Sequence, residues 1–151
     1  MAKVTKQRTK KLVRNNSKAV LDCLQDIYEI EISNVNRYLH YSFMILGHNR
    51  IPIQKWFRDM SSESMQHAIK IGEEITALGG HPHMQHAQLD ESHEHGVDAL
   101  LEETLETELA ALNCYKKLVK LAGDDIALDE LAREMVRLET EHIEEVYKML
   151  N

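Results

Sequence analysis

Two short segments carry an imidazole at helical spacing from a group that could bind the same metal ion. In ETEH, residues 139–142, Glu139 and His142 are three residues apart and therefore share one face of a helix. A carboxylate and an imidazole in this arrangement can hold one divalent cation. In SESMQHA, residues 62–68, His67 has Ser64 at the same spacing, where a carboxylate would complete the motif. The sequence therefore predicts metal chemistry, with one ligand position changed.

Single acids occupy the apolar stripes of two further helical segments. A bundle helix places its core residues at alternating steps of three and four. This stripe contains Glu31 in the first segment and Glu108 in the third. A lone histidine or glutamate in such a stripe is often only hydrogen-bonded or half-exposed. Five of them at matching depths are better explained by one shared site: Glu31, His67, Glu108, Glu139 and His142.

Burial of three carboxylates in one core is strongly unfavourable, because each loses its hydration and repels the others. A pair of bound cations removes this cost. The ligand set of a carboxylate-bridged di-iron site is one Glu from each of two helices and Glu-x-x-His from each of the other two. The sequence supplies this set except for one Glu, and so predicts a di-iron site or a partly occupied one.

Four helical segments must position these residues. Glycines follow the first three segments, where they favour a helix end, and Pro52 lies in the first turn of the second. The predicted segments are residues 17–47, from near Pro52 to Gly79, about 97–122, and from Asp124 or Asp125 to about 150.

A polar link of about fifteen residues joins the second and third segments, whereas the other connections are short. Extended at about 3.3 Å per residue, this link can run the length of a bundle. Two antiparallel hairpins joined by one long crossover form the ferritin-like arrangement. We therefore predict an all-α fold, a ferritin-like four-helix bundle over residues 17–151. The link contains five histidines that could form a weak metal-entry site or a solvated loop: His81, His83, His86, His93 and His95.

The composition favours one helical domain in the cytoplasm. Of the 151 residues 28% are charged, and only 6 are glycine and 2 proline. No apolar run has the roughly 18–20 residues that a membrane span needs, and the basic start is not followed by the apolar segment of a signal peptide. Cys23 and Cys114 lack the spacing of a redox motif and are predicted to be free, buried thiols.

Residues 1–16 form a predicted flexible basic tail. Seven of the 18 basic residues, and no acid, occur before Asp22, so the remaining chain is strongly acidic. A cationic tail on an acidic body could bind DNA or another anionic surface by releasing counterions. The alternative is a solvated tail that binds nothing.

The helices resemble those of bacterioferritins in four segments: EIEISNVNRYLHYSFM, SMQHA, LETELAAL and RLETEHIEEV. The resemblance implies a shell of identical subunits, built from dimers, that oxidises Fe(II) with oxygen or peroxide and stores ferric iron. By the same resemblance, Glu31 and Glu108 are terminal carboxylates and Glu139 is a bridging carboxylate. His67 and His142 are the two imidazole ligands.

The resemblance is incomplete in the second helix. Ser64 replaces the second bridging glutamate, and a serine hydroxyl is a poor ligand for iron. Glu63 lies about 100° away around the helix, and would become a metal ligand only through a long swing or a local π-bulge. Met65 corresponds to the methionine that ligates haem b across a dimer axis in bacterioferritins. Dimer packing without haem is the alternative for this residue.

The resemblance leaves the shell size open. The sequence has no counterpart of the fifth helix that bacterioferritins use in twenty-four-subunit shells, and a basic tail is more similar to the DNA-binding mini-ferritins of twelve subunits. Rubrerythrins carry a further carboxylate where this sequence has Ala111.

From the ligand set and the resemblance together, we expect iron binding, oxidation and storage, with ferroxidase activity at the five ligands. A weakened structural or haem-binding subunit and a DNA-protecting mini-ferritin are the alternatives.

Overall fold

The computed structural model describes residues 12–151, and these residues form four long helices and no strand. The predicted all-α four-helix bundle is confirmed, and each helix end lies within a few residues of its predicted position. The helices are α1 (Lys18–Met44), α2 (Arg50–Ala77), α3 (Val97–Ala122) and α4 (Ile126–Leu150). No helix in this part of the chain has a stretch long and apolar enough to cross a membrane.

The crossover between α2 and α3, residues 78–96, runs along the length of α1. Near the start of α1, a β-carbon on Gly80 would lie 2.9 Å from side-chain atoms of Leu21, so only glycine fits without a shift. At mid-length, the Ala87 amide donates a 2.8 Å hydrogen bond to the Ser33 hydroxyl. At the far end, the Leu46 amide donates to the carbonyl of His95. Because of this path α3 begins beside the end of α1, as the ferritin-like arrangement requires.

The core of the bundle consists of two apolar clusters with a polar layer between them. One cluster surrounds Leu24, Ile71 and Tyr115 near the start of α1. The other surrounds Tyr38 and Phe57 near the end of α1. The buried charged and polar side chains between the clusters include Glu31, Ser64, His67, Glu108 and Glu139.

The two cysteines are free, as predicted. Cys23 is buried, whereas Cys114 is only half-buried. Burial raises the pKa of the Cys23 thiol to about 11. This thiol is therefore protonated at neutral pH and is a weak nucleophile.

The last residues of the basic segment contact the end of the bundle. The Arg14 guanidinium forms ion pairs with Glu74 on α2 and with Asp125, whose oxygen lies 2.8 Å from Arg14 Nε. The Asn15 side chain donates a 2.9 Å hydrogen bond to the Leu121 carbonyl. Residues 1–11, which hold most of the predicted basic tail, lie outside the described residues.

Replacement of Asp125 by alanine is expected to lower the free energy of unfolding by roughly 1–3 kcal/mol, because the side chain caps α4 and binds residues 14 and 15. It accepts from the amides of Leu128 and Asn15 and from Arg14. Burial opposes ionisation of Asp125, but these hydrogen bonds outweigh it and lower its pKa. The stabilisation by Asp125 is therefore fully present above the ordinary pKa of aspartate. It is lost as the pH falls through the lowered pKa that Asp125 has in the folded protein. Denaturant titration at pH 7 and pH 3 measures both effects.

The matched control is Asp124→Ala, since Asp124 is exposed and adjacent. Equal unfolding free energies for the two variants at pH 7 would contradict the assigned role of Asp125.

Candidate metal centre

All four helices contribute side chains to the polar layer at the middle of the bundle. Glu31 comes from α1, His67 from α2, Glu108 from α3, and both Glu139 and His142 from α4. The three glutamates are only 1–2% exposed, although each can carry a charge. Carboxylates this deeply buried require protons, imidazolium ions or metal ions nearby.

One group of potential ligands joins α1, α2 and α4. His67 Nδ1 lies 3.3 Å from Glu31 Oε1 and 3.2 Å from Glu139 Oε1. The three residues offer ligand atoms that all lie within 4.8 Å of one another. This spacing is suitable for one cation held by two carboxylates and an imidazole.

A second group joins α3 and α4. His142 Nδ1 lies 3.1 Å from Glu108 Oε2 and 3.8 Å from Glu139 Oε2. The ligand atoms of these three residues also lie within 4.8 Å of one another. The rings of His67 and His142 are nearly parallel, with centroids 6.0 Å apart. Glu139 therefore belongs to both groups, with one oxygen facing each.

Two buried tyrosines hold the outer glutamates in place. The Tyr115 hydroxyl donates a 2.7 Å hydrogen bond to Glu31 Oε1, and the Tyr38 hydroxyl donates to Glu108 Oε1. Each tyrosine lies seven residues after the glutamate of its own helix but binds the glutamate of the other helix. No role is predicted for either tyrosine in the sequence analysis. The repeated Glu-x6-Tyr spacing was the signal that could have identified them.

Burial and mutual repulsion shift the three carboxyl groups in different directions. Burial raises the pKa of Glu31, against the effect of His67. Burial and the charge of Glu139 raise the pKa of Glu108 to about 8, although His142 opposes this. Burial opposes ionisation of Glu139, but its close contacts with His142, His67 and Glu108 outweigh it and lower its pKa to about 2. Glu139 is thus ionised at neutral pH.

The two histidines are cations when no metal is bound. Burial lowers their pKa values, but the adjacent carboxylates outweigh it and raise the pKa of His67 to about 9 and that of His142 to about 12. Imidazolium therefore neutralises the buried acids in the metal-free centre. A metal ion that binds there must displace these protons, because only neutral imidazole is a ligand.

One buried oxygen has no hydrogen-bond partner, and its position fits a bound cation. Glu139 Oε1 is close to His67 Nδ1, but the single proton on that nitrogen is aligned with Glu31 instead. Leaving a buried carboxylate oxygen unsatisfied is costly. A cation between Glu31, His67 and Glu139 would remove this cost. The donor set, three carboxylates and two imidazoles, is suitable for iron and for other divalent first-row metals.

The α2 residues beside His67 occupy different environments. Ser64 is buried at 4% exposure, at the depth predicted for the absent carboxylate. The Glu63 side chain is 53% exposed, and its Oε2 lies 2.6 Å from His142 Nε2. Glu63 belongs to neither of the two groups of mutually close ligand atoms.

Met65 lies on the outer face of α2 and is 41% exposed. It lines a shallow, mainly apolar groove together with Tyr28, Ile32 and Ile69. This groove is on the opposite side of the helix from His67, so Met65 does not contribute to the buried centre.

The histidines of the crossover are spread along α1. His83 Nδ1 lies 3.6 Å from a Glu29 oxygen, and His95 Nδ1 lies 2.8 Å from the Met44 carbonyl. Within residues 12–151, the crossover contributes no histidine to a group of three closely spaced metal ligands. The contacts of His83 and His95 fasten the crossover to α1.

Solved structures of ferritin-like proteins are similar to this chain over most of its length. A ferritin-like diiron-carboxylate protein from Bacillus anthracis is 24% identical, with a TM-score of 0.85 over 92% of this chain and 100% of that one. A dodecameric thioferritin from Bacteroides fragilis is 19% identical, with a TM-score of 0.79 over 88% of this chain and 84% of that one. Desulfovibrio desulfuricans bacterioferritin, described with a diiron site, is 19% identical, with a TM-score of 0.79 over 87% of this chain and 77% of that one.

These identities are low, so the three likenesses support the fold alone. No curated protein matches the chain in sequence. The model of the ferritin-like domain, however, matches residues 21–151, which include every helix residue that contributes to the buried centre. The chain therefore belongs to the ferritin-like family.

Proposed function

We propose that this protein binds Fe(II) in its buried centre, oxidises it, and stores the ferric product inside a shell of identical subunits. The observation that carries the proposal is the position of Glu139, which has one oxygen in each of two adjacent ligand groups. A carboxylate placed in this way can bridge two metal ions. Such a bridge is characteristic of carboxylate di-iron sites in helical bundles.

Each residue of the centre has a distinct part in this proposal. Glu31 and His67 hold one Fe(II), and Glu108 and His142 hold the other. Glu139 binds both. The carboxylate oxygens are hard ligands and favour Fe(III) over Fe(II), so they promote the loss of an electron from each ion. Tyr38 and Tyr115 keep the outer glutamates oriented toward the centre.

The oxidant is oxygen or peroxide. With peroxide, the two Fe(II) ions lose one electron each while the O–O bond breaks. The two electrons and two protons convert the peroxide into two water molecules. Protons released from His67, His142 and Glu108 on iron binding are available at the centre for this step.

Storage requires assembly of many subunits, and the similar structures support a homo-oligomer. The Bacteroides fragilis protein is described as dodecameric. Analytical ultracentrifugation of this protein is expected to give a closed shell rather than a monomer.

The direct test is iron titration of the purified protein. Without oxygen, we expect two Fe(II) ions per chain, the second bound more weakly because position 64 supplies no carboxylate. When oxygen or peroxide is added, the Fe(III) absorbance is expected to rise faster than in protein-free buffer, and saturation with Zn(II) should slow it. Oxidation at the rate of protein-free buffer would overturn the proposed function.

Haem binding is a second candidate, favoured by the exposed Met65 in its apolar groove. A thioether is a suitable axial ligand for haem iron. If Met65 has this role, haem added to the protein gives a sharp visible spectrum of a methionine-ligated haem, and Met65→Ala abolishes it. Ile69→Ala, a change in the same groove, is the control. Identical spectra for wild type and Met65→Ala would exclude this role.

A further inference from the structure

Glu63 crosses from α2 to α4 and contacts one edge of the His142 ring. Its Oε2 lies 2.6 Å from His142 Nε2. The other ring nitrogen, Nδ1, faces the buried carboxylates Glu108 and Glu139, at 3.1 and 3.8 Å. Glu63 is therefore separated from the centre by the imidazole ring and lies on the side open to solvent.

This geometry determines which nitrogen of His142 can bind a cation. A cation between Glu108 and Glu139 is bound by Nδ1, so the remaining ring proton must be on Nε2. A carboxylate that accepts this proton fixes the tautomer and makes Nδ1 more basic, and partners of this kind typically change metal affinity by about 10–100-fold. His67 has no equivalent, since its only carboxylate partners among residues 12–151 are the buried Glu31 and Glu139, and both contact its Nδ1.

The charges of the centre point to the same role. Glu31, Glu108 and Glu139 supply three negative charges, whereas two divalent cations bring four positive ones. In a site with a glutamate at position 64, a fourth carboxylate would balance the charge. Here Glu63 is the one further carboxylate of residues 12–151 that contacts His142, and its negative charge lies directly behind that ring.

We propose that Glu63 is a positioning residue. It supplies the negative charge that a carboxylate at position 64 would supply, but it does not bind the cation itself. It holds His142 through the Nε2 proton while Nδ1 binds the second cation. This inference rests on the proposed function, because it assumes that the buried centre binds two cations.

The first test is titration with Zn(II) of the wild type and three variants. Glu63→Gln is expected to weaken the zinc ion bound at His142 by about 10–100-fold and to leave the other ion nearly unchanged. The matched control is Asp59→Asn, because Asp59 is an exposed acid on the same helix and, within residues 12–151, pairs only with Lys55. The double variant Glu63→Gln with Ser64→Glu returns the carboxylate to the centre, and is expected to recover the affinity. Wild-type affinity in Glu63→Gln, or an equal loss in Asp59→Asn, would overturn the inference.

The second test distinguishes positioning from direct ligation. In a crystal structure of the zinc-loaded wild type, Glu63 is expected to remain within hydrogen-bond distance of His142 Nε2, with zinc on Nδ1. A Glu63 oxygen at about 2.0–2.2 Å from zinc would overturn the inference in favour of direct ligation. Glu63 is exposed, so its replacement is not expected to prevent folding, and thermal melting of the metal-free variant checks this.

Failure of this inference is distinguishable from failure of the proposed function. If Glu139→Gln abolishes zinc binding while Glu63→Gln binds zinc like the wild type, only the role of Glu63 is wrong. If Glu139→Gln also binds zinc like the wild type, the buried centre itself is wrong.

Discussion

The variant Glu139→Gln is expected to lose tight binding of both cations. We expect the metal affinity to fall by at least about 100-fold, because even residues that only hydrogen-bond to a metal ligand change metal affinity by about 10–100-fold. The reason is geometric. Glu139 is the one carboxylate with an oxygen in each ligand group. An amide offers one weaker, neutral oxygen and cannot bridge two cations. Calorimetric titration with Zn(II), together with the rate of Fe(II) oxidation, measures the effect.

Two further variants test whether the loss of both cations is specific to Glu139. Glu31→Gln removes a ligand from one group only, so it is expected to weaken one cation and preserve the other. Glu141→Gln changes an exposed acid on the same helix, which pairs with Arg137, and is expected to have no effect. Two tightly bound zinc ions in Glu139→Gln would contradict the shared role of Glu139.

Glutamate at position 64 is expected to have opposite effects on the metal-free and metal-bound protein. Ser64 is buried and lies one helical turn before His67, so the new carboxylate is expected to lie close to the three buried glutamates. Without metal, repulsion and lost hydration are expected to lower the free energy of unfolding by about 1–3 kcal/mol. With metal, a second bridging carboxylate tightens binding of the weaker ion. Cations at a hundredfold excess over the dissociation constant stabilise a folded protein by about 2.7 kcal/mol per site.

Thermal melting with and without Zn(II) separates these two effects. The expected result is a lower melting temperature than the wild type without zinc and a larger increase on addition of zinc. Fe(II) oxidation is also expected to be faster than in the wild type. Ser62→Glu adds the same charge at an exposed position of α2 and serves as the control. The prediction is wrong if zinc raises the melting temperatures of the wild type and Ser64→Glu by the same amount.

The helices and the buried acids of the candidate centre could be predicted because they depend on local sequence. Gly47 and Gly123 have positive φ angles at helix ends, which glycine favours. Glu31 and Glu108 interrupt apolar stripes, and such interruptions are visible without coordinates. Ser17 and Asp125 accept hydrogen bonds as helix caps, which their residue types favour.

Contacts between helices could not be predicted in this way. The contact between Glu63 and His142 depends on the rotation of α2 and α4 about their axes and on two side-chain rotamers. The helical wheel places Glu63 about 100° from the ligand face, so the sequence predicts it as a ligand only through a long swing or a local π-bulge. The contact of Arg14 with Asp125 joins residues 111 positions apart, and helical periodicity gives no information about such a pair.

The exchange of tyrosines between α1 and α3 couples the two halves of the chain. The tyrosine of each hairpin satisfies the buried glutamate of the other: Tyr38 binds Glu108, and Tyr115 binds Glu31. Neither hairpin alone can bury its glutamate with this partner, so a half-molecule would expose the acid or leave it unsatisfied. The hairpins consequently gain their full stability only when they dock. We therefore expect the bundle to unfold as one cooperative unit rather than hairpin by hairpin.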